Sequence, residues 1–418
     1  MLAKAFLLLL LCLAGWLVAM PRAISQPVVS DTAFFTGNQK KIKIPFKLAH
    51  NLIVIPVKVN GSRPLNFILD SGVNSTLITQ LDFSDTLSLN NSSTITVKGL
   101  GQGYELEAIV SRGNSLQLSG IEGVNQEVYV LLEDIFNLST RMGMPIHGII
   151  GYDIFKNFIV KINYNTRMLT LYRPDTKLRV NSKCEQYQLH IEDSKAYVYA
   201  NVQQYNGDSL QVKLVVDTGA SHSLSLYLPT NQKLKLPPKV MEAYLGRGLS
   251  GDVHGKIGRL DGISLGRYQF QDLPASYPDE EAIKVALNVA NRNGNLGSDI
   301  LKRFTVIFDY PHNRMYLMPN RKYRTPFTYN ISGFELSTPM PGVNVYVVAN
   351  VADNSVAAQA GIKAGDQLLS VNGQDCKDMD LNKVLRLLDR QPGQMLRLTL
   401  RRNLEEPYKV TLTLASRI

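Results

Sequence analysis

The sequence predicts a mainly β chain, in which two copies of one β-rich unit form a single cleft and a smaller α+β domain follows. Three observations carry that prediction. Landmarks recur at a fixed interval: Asp70 and Asp217 stand 147 positions apart, Gly99 and Gly246 also 147, and Asp153 and Asp299 146. Such a period marks a duplicated unit. Within each copy the apolar segments are short, rich in Val, Ile, Leu and Tyr, and bounded by Gly, Asn or Pro, as strands are. Beyond about residue 331 the pattern changes, and Leu381, Val384, Leu385 and Leu388 fall on the core-facing stripe of a helix set between strand-like runs.

At 418 residues the chain exceeds one typical core. It divides into a leader at 1–25, a first lobe at 42–174, a second lobe at 183–320 and a last domain at 331–418. In the leader, Lys4 precedes the apolar run 5–20, and Ala-Ile-Ser lies just before Gln26. That is the pattern of a cleaved secretory signal, so the chain is expected to be exported, periplasmic or secreted. A retained N-terminal membrane anchor is the alternative, against which stands the shortness of the run. Hydrophobic content of 44% and charged content of 19% suit a folded protein. The formal charge of +10 falls to about +8 without Lys4 and Arg22, and it is spread over the chain rather than gathered in basic runs. It reads as a solvated surface, with no nucleic-acid motif. Outside the leader only Cys184 and Cys376 remain, in what read as different domains, so no disulfide framework is expected.

In order along each unit, 51–60, 65–69, 158–164 and 168–172 read as strands of the first copy, with counterparts in the second. Residues 152–158 and 298–304 read as brief helical turns, with Asp153 and Asp299 placed to cap free N–H groups. The stretches 163–167 and 309–314 read as hairpin turns, and 173–185 and 319–333 as polar connectors. Asp309 matches Asn163, so an acid is not required there.

An apolar strand that ends on a carboxylate needs a reason, because a buried charge is costly unless it is solvated, paired or used. Here the arrangement occurs twice, as Asp70-Ser71-Gly72 and Asp217-Thr218-Gly219. A pseudo-twofold axis between related units can bring both carboxylates together. Two adjacent carboxylates cannot both ionise readily, so one can act as general base on a water while the other donates a proton to a carbonyl. The glycine-rich turns Gly99, Gly101, Gly103 and Gly246, Gly248, Gly251 then make sense as flaps that close over an extended peptide. No cofactor is needed, and the six histidines show no metal-ligand spacing. His222 has no histidine counterpart in the first copy and reads as a loop side chain rather than a base.

These residues, each loop followed by a flap and then by an apolar-Gly motif (Ile149-Ile150-Gly151 and Leu296-Gly297), resemble the aspartic proteases, specifically the retropepsin-like branch in its fused, two-lobed bacterial form. The resemblance covers roughly 42–320. It implies Asp70 and Asp217 as the catalytic dyad, Ser71 and Thr218 with Gly72 and Gly219 as its support, and a peptide or protein substrate. Because one chain holds both lobes, a monomer suffices. Three departures stand out. Asn295 takes the place of Ile149, Asn74 matches Ser221, and Val73 and Ala220 lie where pepsin-like relatives carry a hydroxyl that stabilises the carboxylate. The missing hydroxyls should raise the dyad's pKa values and place the optimum in mildly acidic to near-neutral solution.

The segment 357–373, with Gly361, Gly365, Asp366 and Asn372-Gly373, resembles PDZ domains of the bacterial envelope-protease type. That implies capture of a protein C-terminus by strand addition, with Gly342, Val343, Asn344 and Val345 as the expected peptide-binding loop. The sequence therefore reads as an exported aspartic endopeptidase whose PDZ domain recruits or positions substrate. The rival is a non-catalytic peptide receptor built on the same cleft and PDZ domain; the presence of both aspartates favours the enzyme.

Overall fold

A computed structural model describes residues 32–418 other than 82–86, 98, 102, 104, 181 and 288–290. The leader at 1–25 lies outside the described residues. The chain is mainly β, as the strand-like segments predict, and its strands fall into four sheets.

The first lobe is a nine-stranded sheet. Its order runs Thr32–Phe35, Ile121–Leu131, Thr76–Ile78, Gly148–Ile150, Leu65–Leu69, Leu52–Val59, Leu106–Leu118 and Ser92–Val97, with Lys47–Ala49 beside Leu52–Val59. The pairing of Leu106–Leu118 with Ile121–Leu131 curls it upon itself. The second lobe repeats the plan with eight strands: His190–Glu192, Lys195–Gln203, Ser209–Val216, Gly294–Leu296, Leu224–Leu226, Tyr268–Pro278, Gly251–Leu265 and Val240–Gly248. It too closes, through Lys195–Gln203 against Gly251–Leu265.

A third sheet joins the lobes. It has six strands, Glu185–Gln188, Arg314–Pro319, Phe304–Asp309, Ile159–Asn163, Met168–Tyr172 and Lys41–Pro45. At its centre Ile159–Asn163 from one repeat pairs antiparallel with Phe304–Asp309 from the other, Lys161 opposite Ile307. Each repeat contributes a hairpin here, and each hairpin is shaped by its turn. In the first, the Asn163 side chain accepts the N–H groups of Asn165 and Thr166, both at 3.1 Å, closing an Asx turn. In the second, Asp309 is buried and accepts from Arg314 at 2.9 Å, and its other oxygen lies 2.6 Å from Nδ1 of His312. The same position is a local turn former in one lobe and an ion-pair anchor in the other.

One hydrophobic cluster runs through both lobes and the joining sheet, from Ile44, Phe67 and Phe155 to Val216, Phe308 and Leu317. Phe155 meets Phe308 edge-on at 5.1 Å and stacks near Tyr310 at 5.2 Å, directly across the pseudo-twofold. Truncating such a ring costs about 3–5 kcal/mol. Through this cluster the two lobes pack as one body.

The last domain has its own core and its own sheet, ordered Phe334–Ser337, Tyr346–Val351, Gln367–Val371, Met395–Arg401 and Tyr408–Thr413 with Gln374–Asp375 at the side. Its helix Leu381–Leu388 starts where Asp380 accepts the Lys383 N–H at 2.7 Å, and it buries Leu381, Val384 and Leu388 with Leu385 half-buried. The domain docks on the first lobe: Thr338 N–H donates to Thr140 O at 2.8 Å and Gly342 N–H to Gly143 O at 3.1 Å. Cys184 and Cys376 are both free thiols.

Candidate active site

Leu65–Leu69 and Ser209–Val216 are the strands that deliver the two aspartates. Both run parallel to a short partner strand, Leu65–Leu69 to Gly148–Ile150 and Ser209–Val216 to Gly294–Leu296. The pairing continues one step into each loop, so that Asp70 N–H donates to Ile150 O and Asp217 N–H to Leu296 O, both at 2.9 Å. This extra bond fixes where each loop leaves its strand.

The loops then interlock across the pseudo-twofold. Ser71 N–H donates to Thr218 Oγ1 at 2.9 Å and Thr218 N–H to Ser71 Oγ at 3.1 Å. Each hydroxyl in turn donates to a carbonyl of the opposite strand, Ser71 to Val216 at 2.6 Å and Thr218 to Leu69 at 2.9 Å. All four groups are buried, so each bond is one that water cannot replace. The residues expected as dyad support thus meet in one reciprocal network.

This network brings Asp70 and Asp217 together. Gly219 passes so close to Asp70 that a Cβ on it would lie 2.1 Å from Oδ2, and a Cβ on Gly72 would lie 3.3 Å from Asp217 Oδ1. At Gly219 only glycine permits that approach, and at Gly72 a Cβ would be tight. Gly72 N–H donates to Asp70 Oδ1 at 2.7 Å, and Gly219 N–H to Asp217 Oδ1 at 3.0 Å. Both aspartates are fully buried. Burial and the adjacent Asp217 charge push the Asp70 carboxyl well above its ordinary range. Burial also raises Asp217, to about 6, with the Asn295 amide, the hydrogen bond with Asp70 and the Gly219 N–H holding it lower than burial alone would.

The two environments differ behind the loops. Asn295 donates from Nδ2 to Asp217 Oδ2 at 2.7 Å and accepts the Tyr227 hydroxyl at 3.1 Å. Among the described residues no side-chain amide serves Asp70, which is faced by the Gly72 and Gly219 N–H groups and by the Asp217 carboxyl. The sequence marked Asn295 as a departure in packing; the structure shows it as a hydrogen-bond donor to the carboxylate. Asp217 thus has a side-chain donor of its own although neither Val73 nor Ala220 carries a hydroxyl.

The glycine-rich turns of the two lobes meet one another. Gly99 N–H donates to Ser250 Oγ at 3.0 Å, Ser250 N–H to Leu100 O at 2.9 Å, and Gly101 N–H to Ala282 O at 3.0 Å. The tips touch so tightly that a Cβ on Gly248 would lie 2.0 Å from Leu100 O and one on Gly101 2.4 Å from Gly251 O. Gly103 crosses Ser250 in the same way, while Gly246 lies in the ascending strand at a bulge after Tyr244. Leu100, Leu249 and Ser250 were not singled out in the sequence, although a leucine set between glycines at each tip was the available signal.

Asp153 and Asp299 prove to be tethers rather than caps. The residues preceding their helices are Gly151 and Gly297, and neither short helix has a side-chain cap. Asp153 instead accepts the Thr76 hydroxyl, and Asp299 the Ser223 hydroxyl, both at 2.8 Å. Each ties the segment after a catalytic-type loop to the helix behind it. Among the described residues the ring nitrogens of His222 are buried without partners, and burial pushes its pKa down to about 4. Gly342, Val343, Asn344 and Val345 lie far along the chain from the aspartates, in the connection between Phe334–Ser337 and Tyr346–Val351. There Gly342 N–H is taken by Gly143 O, and the Asn344 amide donates to Lys377 O at 2.9 Å.

Comparison with known families agrees with this geometry. The aspartyl protease model matches residues 55–154 and again 200–300, and the PDZ domain model matches 347–402. No curated protein matches the chain. The chain belongs to the aspartyl protease family, with that unit present twice and a PDZ domain following it.

Proposed function

We propose that the protein is an exported aspartic endopeptidase that hydrolyses peptide bonds with Asp70, Asp217 and an activated water, its PDZ domain recruiting or positioning the peptide. The observation that carries this reading is the pair of buried, abutting carboxylates held by the Ser71–Thr218 network. Burial raises both carboxyls; Asp217, which accepts the Asn295 amide, supplies the base, and Asp70 supplies the proton. In the first step water adds to the carbonyl carbon, its proton passes to Asp217, and the Asp70 proton passes to the carbonyl oxygen. In the second step a hydroxyl of the resulting gem-diol returns a proton to Asp70 while Asp217 protonates the nitrogen. The C–N bond then breaks, leaving acid and amine, and both aspartates regain their starting forms.

Substrate entry requires the flaps to part, because the tips bond to each other and both carboxylates are fully covered. The apolar run at 5–20 supports export. The test is digestion of a mixed peptide library by the chain from Gln26, between about pH 3 and 8, beside Asp217→Asn. Cleavage that disappears in the variant supports the proposal. No cleavage by the parent at any pH overturns it in favour of a peptide receptor.

A further inference from the structure

We propose that Asn295 is a positioning residue that makes Asp217 the anionic member of the pair, so that water is always activated by the second-lobe carboxylate. This rests on the endopeptidase reading and deepens it by naming the residue that sets the two aspartates' different roles.

The assignment follows from a hydrogen-bonded line that only one lobe possesses. Asn295 is fully buried and donates to Asp217 Oδ2 at 2.7 Å. Its orientation is held from the other end, where the fully buried Tyr227 donates its hydroxyl to Asn295 Oδ1 at 3.1 Å. The Arg292 guanidinium, itself buried, lies 5.4 Å from the Tyr227 ring centroid. A hydroxyl and an amide therefore succeed one another toward Asp217, each oriented to favour negative charge at the end of the line, and the Arg292 charge over the Tyr227 ring favours it through space.

The first lobe offers no equivalent. Thr79 stands where Tyr227 does, since Thr79 N–H donates to His147 O and Tyr227 N–H to Asn293 O. Ile149 pairs with Ile68 as Asn295 pairs with Val215, and Ile146 precedes Ile149 by the same step that Arg292 precedes Asn295. Among the described residues Asp70 is faced by the Gly72 and Gly219 N–H groups and by the Asp217 carboxyl, but by no side-chain amide. Two buried carboxylates in contact retain one proton between them, and the proton settles on the carboxyl that lacks a side-chain donor. The other groups facing the pair are Arg292, whose charge favours an anionic Asp217, and Tyr310, which burial keeps neutral. Burial raises both carboxyls, and the Asn295 amide is the largest influence holding Asp217 down.

The experiment uses the full mature chain labelled with 13C at the aspartate carboxyls, with the two resonances assigned by Asp70→Asn and Asp217→Asn. The parent is compared with Tyr227→Phe/Asn295→Leu, which removes both polar groups and so leaves no orphaned hydroxyl. We expect Asp217 to titrate below Asp70 in the parent, and the gap to close or invert in the double variant. The acid limb of kcat/KM should move up by about one pH unit or more, with kcat falling and KM little changed. A merely structural role would leave the order of titration untouched. Asp70 titrating first in the parent, or an order unchanged in the variant, overturns the proposal. If the parent shows the expected order but cleaves nothing, the charge assignment stands and the endopeptidase reading falls.

Discussion

Leu100 and Leu249, one at each flap tip, are each buried in the opposite lobe. Leu100 packs with Tyr227, Leu245, Val253 and Ile283 of the second lobe, and Leu249 with Val73, Leu77 and Ile149 of the first. The flaps are crossed, and each lobe's hydrophobic floor holds down the other lobe's lid. Opening exposes two leucines and breaks the bonds at Gly99, Ser250 and Gly101, so closure is an intrinsic property of the free protein.

Leu100→Ala should weaken that closure by about 2–4 kcal/mol, the usual cost of a buried leucine truncation. Exchange of the Gly101 and Ser250 amides should then accelerate at least about tenfold, while amides of the joining sheet stay as slow as in the parent. Equal exchange at the tips in both proteins would show that something other than the crossed leucines holds the flaps.

Removing a hydroxyl from the interlocked loops should cost more than a surface hydrogen bond. Thr218→Ala deletes a donor to Leu69 O and leaves the buried Ser71 N–H without its acceptor. A loss of about 1–3 kcal/mol is expected in denaturant unfolding, and Thr218→Ser should restore most of it. If serine does no better than alanine, the packing of the threonine methyl matters rather than the bonds.

The dyad should make stability fall as pH rises. Asp217 has its folded pKa raised to about 6, and Asp70 is raised as well, so the folded state binds more protons than the unfolded chain. The stabilising contribution is complete below the unfolded pKa near 4 and is lost as pH climbs through the folded values. Subtracting the Tm–pH curve of Asp217→Asn from that of the parent isolates this slope. A difference that is flat between about pH 4 and 7 would rule it out.

His222 should act in the opposite sense. Its folded pKa is lowered to about 4 by burial, so its contribution is present above the unfolded value near 6.5 and is lost as pH falls through the folded one. In His222→Gln the parent's loss of Tm below about pH 6 should be smaller. An acid limb identical in the two proteins would assign that loss to other groups.

Much of this protein was legible in the chain because it is written twice. The 147-residue interval, the two Asp-hydroxyl-Gly turns and the glycine pairs downstream are local patterns, and local patterns survive in one dimension. The helical stripe at Leu381, Val384 and Leu388 was readable for the same reason. Asp153 and Asp299 misled because proximity to a helix start suggests a cap, whereas each carboxylate reaches a hydroxyl more than seventy residues away.

What the sequence determined by itself was the inventory: two carboxylates at strand ends, two glycine-rich turns, two hairpin turns and a PDZ domain. Tertiary structure alone decided how these parts are used. The exchange of Leu100 and Leu249, the reciprocal bonds of Ser71 and Thr218, and the line from Arg292 through Tyr227 and Asn295 all join residues brought together by folding. A duplicated sequence predicts symmetry, but a buried carboxylate responds to the individual donors within a few ångströms of it, and those differ between the lobes.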